Sequence, residues 1–284
     1  MSTTPEPTTP STIVLIHGLW LTPRGWEGWV DRYTSRGYKV LAPAWPGMEA
    51  EVEALRRDPS VMNGLGVTEV ADHYQKVVQG LDEPPIIMGH SFGGLIAQIL
   101  LDRGLGAAGV GIHPAPVKGV LQLPLSALRS GFPVLRNPAN RKRTVALSPE
   151  QFRYGFTNTL SEEESKRVYD RYHVPTSGRP LWQVATANLV PNPANKVNLR
   201  NNDRAPLLLV AGGADHTVPV ALVRENHKRY RHSTAVTDYK EYPGRPHFTM
   251  GVPGWEEVAD HALRWATENA ASGARSPGAP TTNT

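Results

Sequence analysis

Strand-length apolar runs that alternate with helical-period stretches mark this chain as an α/β protein with a mostly parallel central sheet flanked by helices. Two further observations support that class. Three of the apolar runs end in loops carrying Ser91, Asp215 and His247; a parallel sheet gathers such loops at one edge, where these sheets bind ligands. At 284 residues the chain is also long enough for one large domain with a well-buried core.

The elements follow in order. Ile13-Val14-Leu15-Ile16 predicts a first strand that opens into His17-Gly18-Leu19-Trp20. Thr22-Pro23 starts a helix, with Thr as N-cap and Pro at the first helical position. Trp26, Trp29, Val30 and Tyr33 share one face of it, and Gly37 closes it before a strand at 38–42. Val67, Val70, Tyr74, Val77 and Leu81, three and four apart, predict the helix that precedes a strand at 85–88. Residues 95–101 are helical and residues 108–113 form a strand. Strands at 206–211 and 235–242 come later, and Trp255, Val258, Ala262 and Trp265 mark a final helix.

Between about residues 114 and 201 the alternation breaks. No strand is predicted there, but Ser148-Pro149-Glu150 and Ser161-Glu162-Glu163-Glu164 are helix starts. Insertions on a rigid scaffold are where specificity is set. This segment is expected to be a helical cap, whose Leu121, Leu123, Leu125, Leu128, Phe132, Phe152, Tyr154, Phe156 and Trp182 either line a pocket or form the cap's own core. The expected organisation is a disordered lead at 1–11, a domain at 12–270 carrying the cap, and a disordered tail at 271–284.

The chemistry begins at Gly89-His90-Ser91-Phe92-Gly93-Gly94, a G-x-S-x-G turn between a strand and a helix. Glycine is needed on both sides of Ser91 because a Cβ would crowd the turn. A serine hydroxyl is a weak nucleophile until a base takes its proton, and an imidazole titrates near enough to neutrality to do so. A buried carboxylate then fixes the imidazole tautomer. Ser91, Asp215 and His247 supply these groups in that chain order. The backbone N–H of Phe92 is one candidate oxyanion donor, and that of Leu19, after Gly18, is the other, with Trp20 as its neighbouring alternative.

With these residues in place, the chain resembles the α/β-hydrolase superfamily from His17-Gly18 through the elbow to His247. The opening loop and the elbow look most like small esterases of the plant methylesterase and hydroxynitrile lyase branch. The resemblance implies the α/β-hydrolase fold with a helical cap insertion, and a compact sheet, since so few residues precede the first strand. It also implies structural roles for His17 and His90 around their turns.

His113, Trp20, Phe132, Phe156 and Trp182 are the candidate substrate-binding residues; His113 reads equally as a satisfied loop histidine, and His216 is expected to point away from the site. The ten histidines show no metal-ligand spacing, so neither metal nor cofactor is expected. The basic run 136–143 would suit an anion but reads better as a solvated cap surface, and a net charge of +4 without a nucleic-acid motif excludes that partner class. No apolar run reaches the ~20 residues of a membrane span. A chain with no cysteine and no secretory signal is expected in the cytoplasm. The expected activity is hydrolysis of a carboxylic ester of a small or medium-sized, largely apolar substrate. Lactone, amide or C–C bond cleavage, acyl transfer or cyclisation, and ligand binding stay open as alternatives on the same scaffold. Oligomeric state is not legible.

Overall fold

The computed structural model describes residues 10–273. In chain order the elements are β1 (Thr12–Ile16), α1 (Glu27–Thr34), β2 (Lys39–Leu41), α2 (Val52–Arg57), α3 (Val67–Gln79), β3 (Ile86–His90), α4 (Phe92–Asp102) and β4 (Ala108–Ile112). They continue with α5 (Leu125–Leu135), β5 (Thr144–Val145), α6 (Pro149–Phe156), α7 (Glu162–Tyr172), β6 (Thr176–Ser177) and α8 (Arg179–Ala185). The chain closes with β7 (Leu207–Gly212), α9 (Val220–Arg229), β8 (Thr237–Tyr242) and α10 (Trp255–Gly273).

Six strands form one sheet in the order β2-β1-β3-β4-β7-β8, every pair parallel. The four central strands are buried at every position, as expected of strands covered on both faces, and they read as continuous apolar runs for that reason. On β8, the last strand in the order, burial alternates instead, as on a strand with one face less covered than the other. The helix after β3 is buried along almost its whole length, with Phe92 through Leu101 all inside.

Several elements depart in detail from the sequence reading. Thr22 caps a 3₁₀ turn at Pro23–Trp26, and α1 begins only after it. On α3 the buried stripe is Val67, Val70, Ala71, Tyr74 and Val78 rather than one through Val77 and Leu81, and the helix stops at Gln79 before Gly80. The segment expected to lack strands contains a small antiparallel pair, β5 with β6. Both predicted helix starts hold: Ser148 and Ser161 each form a reciprocal capping box with Gln151 and Glu164. The final helix runs to Gly273, into the stretch expected to be a tail. Ser11, expected in the lead, hydrogen-bonds Glu83 through its backbone N–H and its hydroxyl. The remainder of both expected tails, residues 1–9 and 274–284, lies outside the described residues.

Candidate active site

Ser91 sits between β3 and α4 with φ 55° and ψ −118°, a region non-glycine residues rarely occupy. Close packing holds it there. A Cβ on Gly89 would lie 2.0 Å from the Gly93 carbonyl oxygen, and one on Gly93 would lie 2.0 Å from that of Ile16. The Ser91 N–H donates to Ile112 O at 2.9 Å, and its carbonyl accepts from Gly94, Leu95 and Ala115. The turn is therefore tied to both neighbouring strands, β1 and β4.

His247, after β8, lies with Nε2 3.0 Å from Ser91 Oγ and Nδ1 2.7 Å from Asp215 Oδ2. A neutral imidazole with its proton on Nδ1 fits both contacts, leaving Nε2 free to accept the serine proton. Asp215 Oδ1 accepts from the N–H groups of Thr217 at 2.7 Å and Val218 at 2.8 Å. His90 bonds the His247 carbonyl at 2.7 Å through Nε2, and the Phe156 ring meets the His247 ring edge-on at 4.9 Å.

A second imidazole shares the carboxylate: His113 Nδ1 is 2.8 Å from Asp215 Oδ2. The three side chains are buried, with ligand-type atoms within 4.8 Å of one another. The short distances are those of N–H···O⁻ hydrogen bonds, with each Nδ1 donating. Burial pushes the Asp215 carboxyl up, but His247 and the hydrogen bonds from His113 and His247 outweigh it, holding the group well below the usual carboxylate range. Burial pulls His113 below the ordinary imidazole range despite the opposing pull of Asp215.

The loop after β1 lies against the elbow: a Cβ on Gly18 would come 2.7 Å from Ser91 Cβ. Leu19 follows, and among the described residues neither its N–H nor that of Phe92 has a hydrogen-bond acceptor. Phe92 N–H also stands at the start of the eleven-residue α4, where the helix dipole favours negative charge. Trp20 has φ 63° and anchors the next segment, donating from Nε1 to Val145 O and accepting from Val174 N–H at its carbonyl.

A cavity of about 60 Å³ opens on Ser91 and Phe92. Trp20, Ala115 and Pro116 line it from below, Ala127, Ser130 and Gly131 from α5, and Leu181 and Val184 from α8, with Thr217 and Val218 completing it.

Of the five candidate substrate-binding residues, only Trp20 lines this cavity. His113 is fully buried beneath it on Asp215 rather than facing it. Phe156 is packed behind His247 and stacks on Phe152. Phe132 is on the surface, 59 % exposed, as are Leu121, Leu123, Leu125 and Leu128. Trp182 faces a different cleft from its α8 neighbours Leu181 and Val184, with Arg141 over its ring. Phe132 and Trp182 turn away from the cavity, whose lining from α5 and α8 is Ala127, Ser130, Gly131, Leu181 and Val184, whereas Phe152 and Phe156 are buried as the core reading of the segment expects.

His17 and His90 hold their turns. His17 Nδ1 is 3.0 Å from Gly18 O, and its Nε2 accepts from Trp45 N–H at 3.2 Å. His216 turns to the Tyr154 carbonyl. The small cavity-lining residues carry no local sequence signal. Nor does the tie between His113 and Asp215: they follow β4 and β7, which are neighbours only through the strand order of the folded sheet.

Similar folds occur in a monoacylglycerol lipase from Paleococcus ferrophilus, 20 % identical over 92 % of this chain and 96 % of the lipase, with a TM-score of 0.63. Polyneuridine aldehyde esterase is 18 % identical, with 90 % and 99 % of the chains covered and a TM-score of 0.64. A methylesterase from Arabidopsis is 13 % identical at the same coverage, with a TM-score of 0.60. No curated protein matches the sequence. The model of the alpha/beta hydrolase family matches residues 13–261. Spanning most of the chain and agreeing with the parallel sheet, that match places the protein in the alpha/beta hydrolase family.

Proposed function

We propose that the protein is a serine hydrolase that cleaves a carboxylic ester of a small or medium-sized, largely apolar substrate. The observation that carries this reading is His247, which bridges Ser91 at 3.0 Å and Asp215 at 2.7 Å. Esterases and a lipase among proteins of the same fold are consistent with it.

In the first half-reaction the Ser91 hydroxyl proton passes to His247 Nε2 as Oγ attacks the ester carbonyl carbon. The oxyanion that forms takes hydrogen bonds from Leu19 N–H and Phe92 N–H, each worth about 3 kcal/mol in comparable sites. Asp215, kept ionised, stabilises the imidazolium. His247 then gives its proton to the departing alkoxide oxygen, which leaves as an alcohol, and Ser91 remains acylated. A water loses a proton to His247 and attacks the acyl carbon, releasing the carboxylic acid and restoring Ser91 O–H.

The segment at about 114–201 acts as the cap, since α5 and α8 roof the cavity. The lining suits an apolar acyl or alcohol group. At about 60 Å³ the cavity is small beside the ~300–1,000 Å³ of ordinary ligand sites. Short acyl chains are therefore the first expectation, and longer ones require α5 or α8 to move outward.

The test is hydrolysis of p-nitrophenyl esters from acetate to long acyl chains by wild type and Ser91→Ala. Turnover that disappears in the variant, highest on short chains, is the expected result. Turnover that persists without Ser91 would remove the serine mechanism.

A further inference from the structure

The outer surface of the α5 region differs from the rest of the molecule. Leu121, Leu123, Leu125, Leu128 and Phe132 are all exposed there, Leu123 at 74 % and Leu125 at 83 %. Leu125, Leu128 and Phe132 lie three and four residues apart on α5 and so share one face. The strap before the helix is tied to a second exposed apolar loop. Asn188 bonds Gly119 N–H and Val120 O, and Lys118 Nζ donates to Val190 O, which brings exposed Leu189 and Val190 to the same side.

Charge sets this surface apart as well. From Pro114 to Leu147 there is no Asp or Glu, while Lys118, Arg129, Arg136, Arg141, Lys142 and Arg143 supply six cations. None of the six forms an ion pair among the described residues, although Arg24, Arg32, Arg103, Arg171, Arg179 and Arg224 all do. Arg129 and Arg141 rest over the Tyr154 and Trp182 rings, and Arg136, Lys142 and Arg143 are exposed. Arg136 follows Phe132 by four residues and continues the apolar face. Glu225, beside the strap, already accepts from Leu121 N–H and Gln122 N–H and pairs with Arg229. Glu150 and Glu162 share a cleft with Arg129 without forming an ion pair with it among the described residues.

We infer that this face docks on an anionic lipid surface. Exposed leucines on a segment whose cations form no ion pairs are the complement of a bilayer interface, where apolar side chains enter and basic ones meet acidic headgroups. Other occupants fit poorly. Residues 1–9 and 274–284 contain no large apolar side chain except Met1 and so offer the leucines little apolar surface. A second copy would bring the same six cations against each other. The sequence carries no span, and for that reason no membrane partner is expected from it; no described helix is long and apolar enough to cross a membrane. Docking on the surface needs no span.

The same helix links the patch to the chemistry. Ala127, Ser130 and Gly131 on α5 line the Ser91 cavity while its outer face carries the leucines. On the esterase reading proposed above, on which this link rests, docking holds the cavity one helix diameter, ~10 Å, from a source of amphiphilic esters.

The experiment is cosedimentation of the full chain with vesicles of phosphatidylcholine alone and of phosphatidylcholine mixed with phosphatidylglycerol. The protein is expected on the mixed vesicles, with binding weakened by added salt. Leu123→Asp with Leu125→Asp, and separately Arg136→Glu with Arg143→Glu, should each lower partitioning at least about tenfold. Both pairs should leave hydrolysis of soluble p-nitrophenyl acetate unchanged. No binding to mixed vesicles, or binding indifferent to both pairs, overturns the inference. So does a dimer in light scattering that the leucine pair dissociates. A chain that hydrolyses soluble esters but ignores vesicles overturns this inference alone. One that binds vesicles but hydrolyses nothing overturns only the esterase reading.

Discussion

A Cβ on Gly212 would lie 2.3 Å from Cε1 of His113, so the imidazole occupies space that only glycine leaves open. The same Cβ would meet the Arg245 carbonyl oxygen at 2.4 Å, which leaves no direction for relief. Gly212→Ala is therefore expected to cost about 1–3 kcal/mol of stability and to displace His113 from Asp215. Chemical denaturation with ester turnover measured alongside checks this; unchanged stability would contradict the packing.

His113 and His247 share Asp215 Oδ2, so His113 is expected to act as a positioning residue. Its N–H withdraws basicity from the carboxylate that orients His247. His113→Leu removes that donor, and the acid limb of kcat/KM should move to higher pH as Asp215 holds the His247 imidazolium more strongly. His113→Asn keeps a donor near the Nδ1 position and should restore the limb. A limb that stays in place in a folded Leu variant would reduce His113 to packing.

Asp215→Asn should fold and lose about 10⁴ in kcat, because the amide supports the wrong imidazole tautomer. Asp215 also bears on acid stability. Its native carboxyl titrates below its unfolded value of ~3.9, so it contributes stability above that pH and loses it as pH falls toward the native value. Near-normal turnover in the variant would move the acid role elsewhere.

His17 predicts a separate loss of stability at mildly acid pH. Its Nε2 accepts from Trp45 N–H, so protonation breaks that bond, and burial lowers its titration to about 4. The unfolded chain binds the proton near 6.5, so stability is complete above that pH and falls between 6.5 and about 4, by roughly 3 kcal/mol in all. Melting temperatures across this window, with His17→Gln as the control that flattens the slope, check the sign.

Much of this architecture was legible from residue patterns because strand and turn chemistry are local. The elbow glycines, the capping serines at 148 and 161 and the apolar runs of β1, β3, β4 and β7 each announce themselves within a few residues. Cavity lining does not. Gly131 and Ala127 look like ordinary helix residues, and Leu125 and Phe132 look like core. Which face of α5 turns inward is decided by packing against α6 and α8, which no local period encodes. His113 was ambiguous for a related reason: its partner is 102 residues away and reachable only through strand order.

The hydrogen bond that Ser91 donates to His247 joins residues 156 positions apart, and the strands of the main sheet between them, β4, β7 and β8, all pair in parallel. Such long closures are slow, since ordering entropy is spent before the contacts form. On the proposed mechanism a growing chain therefore holds its nucleophile long before it has a base, and remains inert until β8 pairs with β7. On refolding, turnover should be the last signal to return, after helix content and after burial of the core.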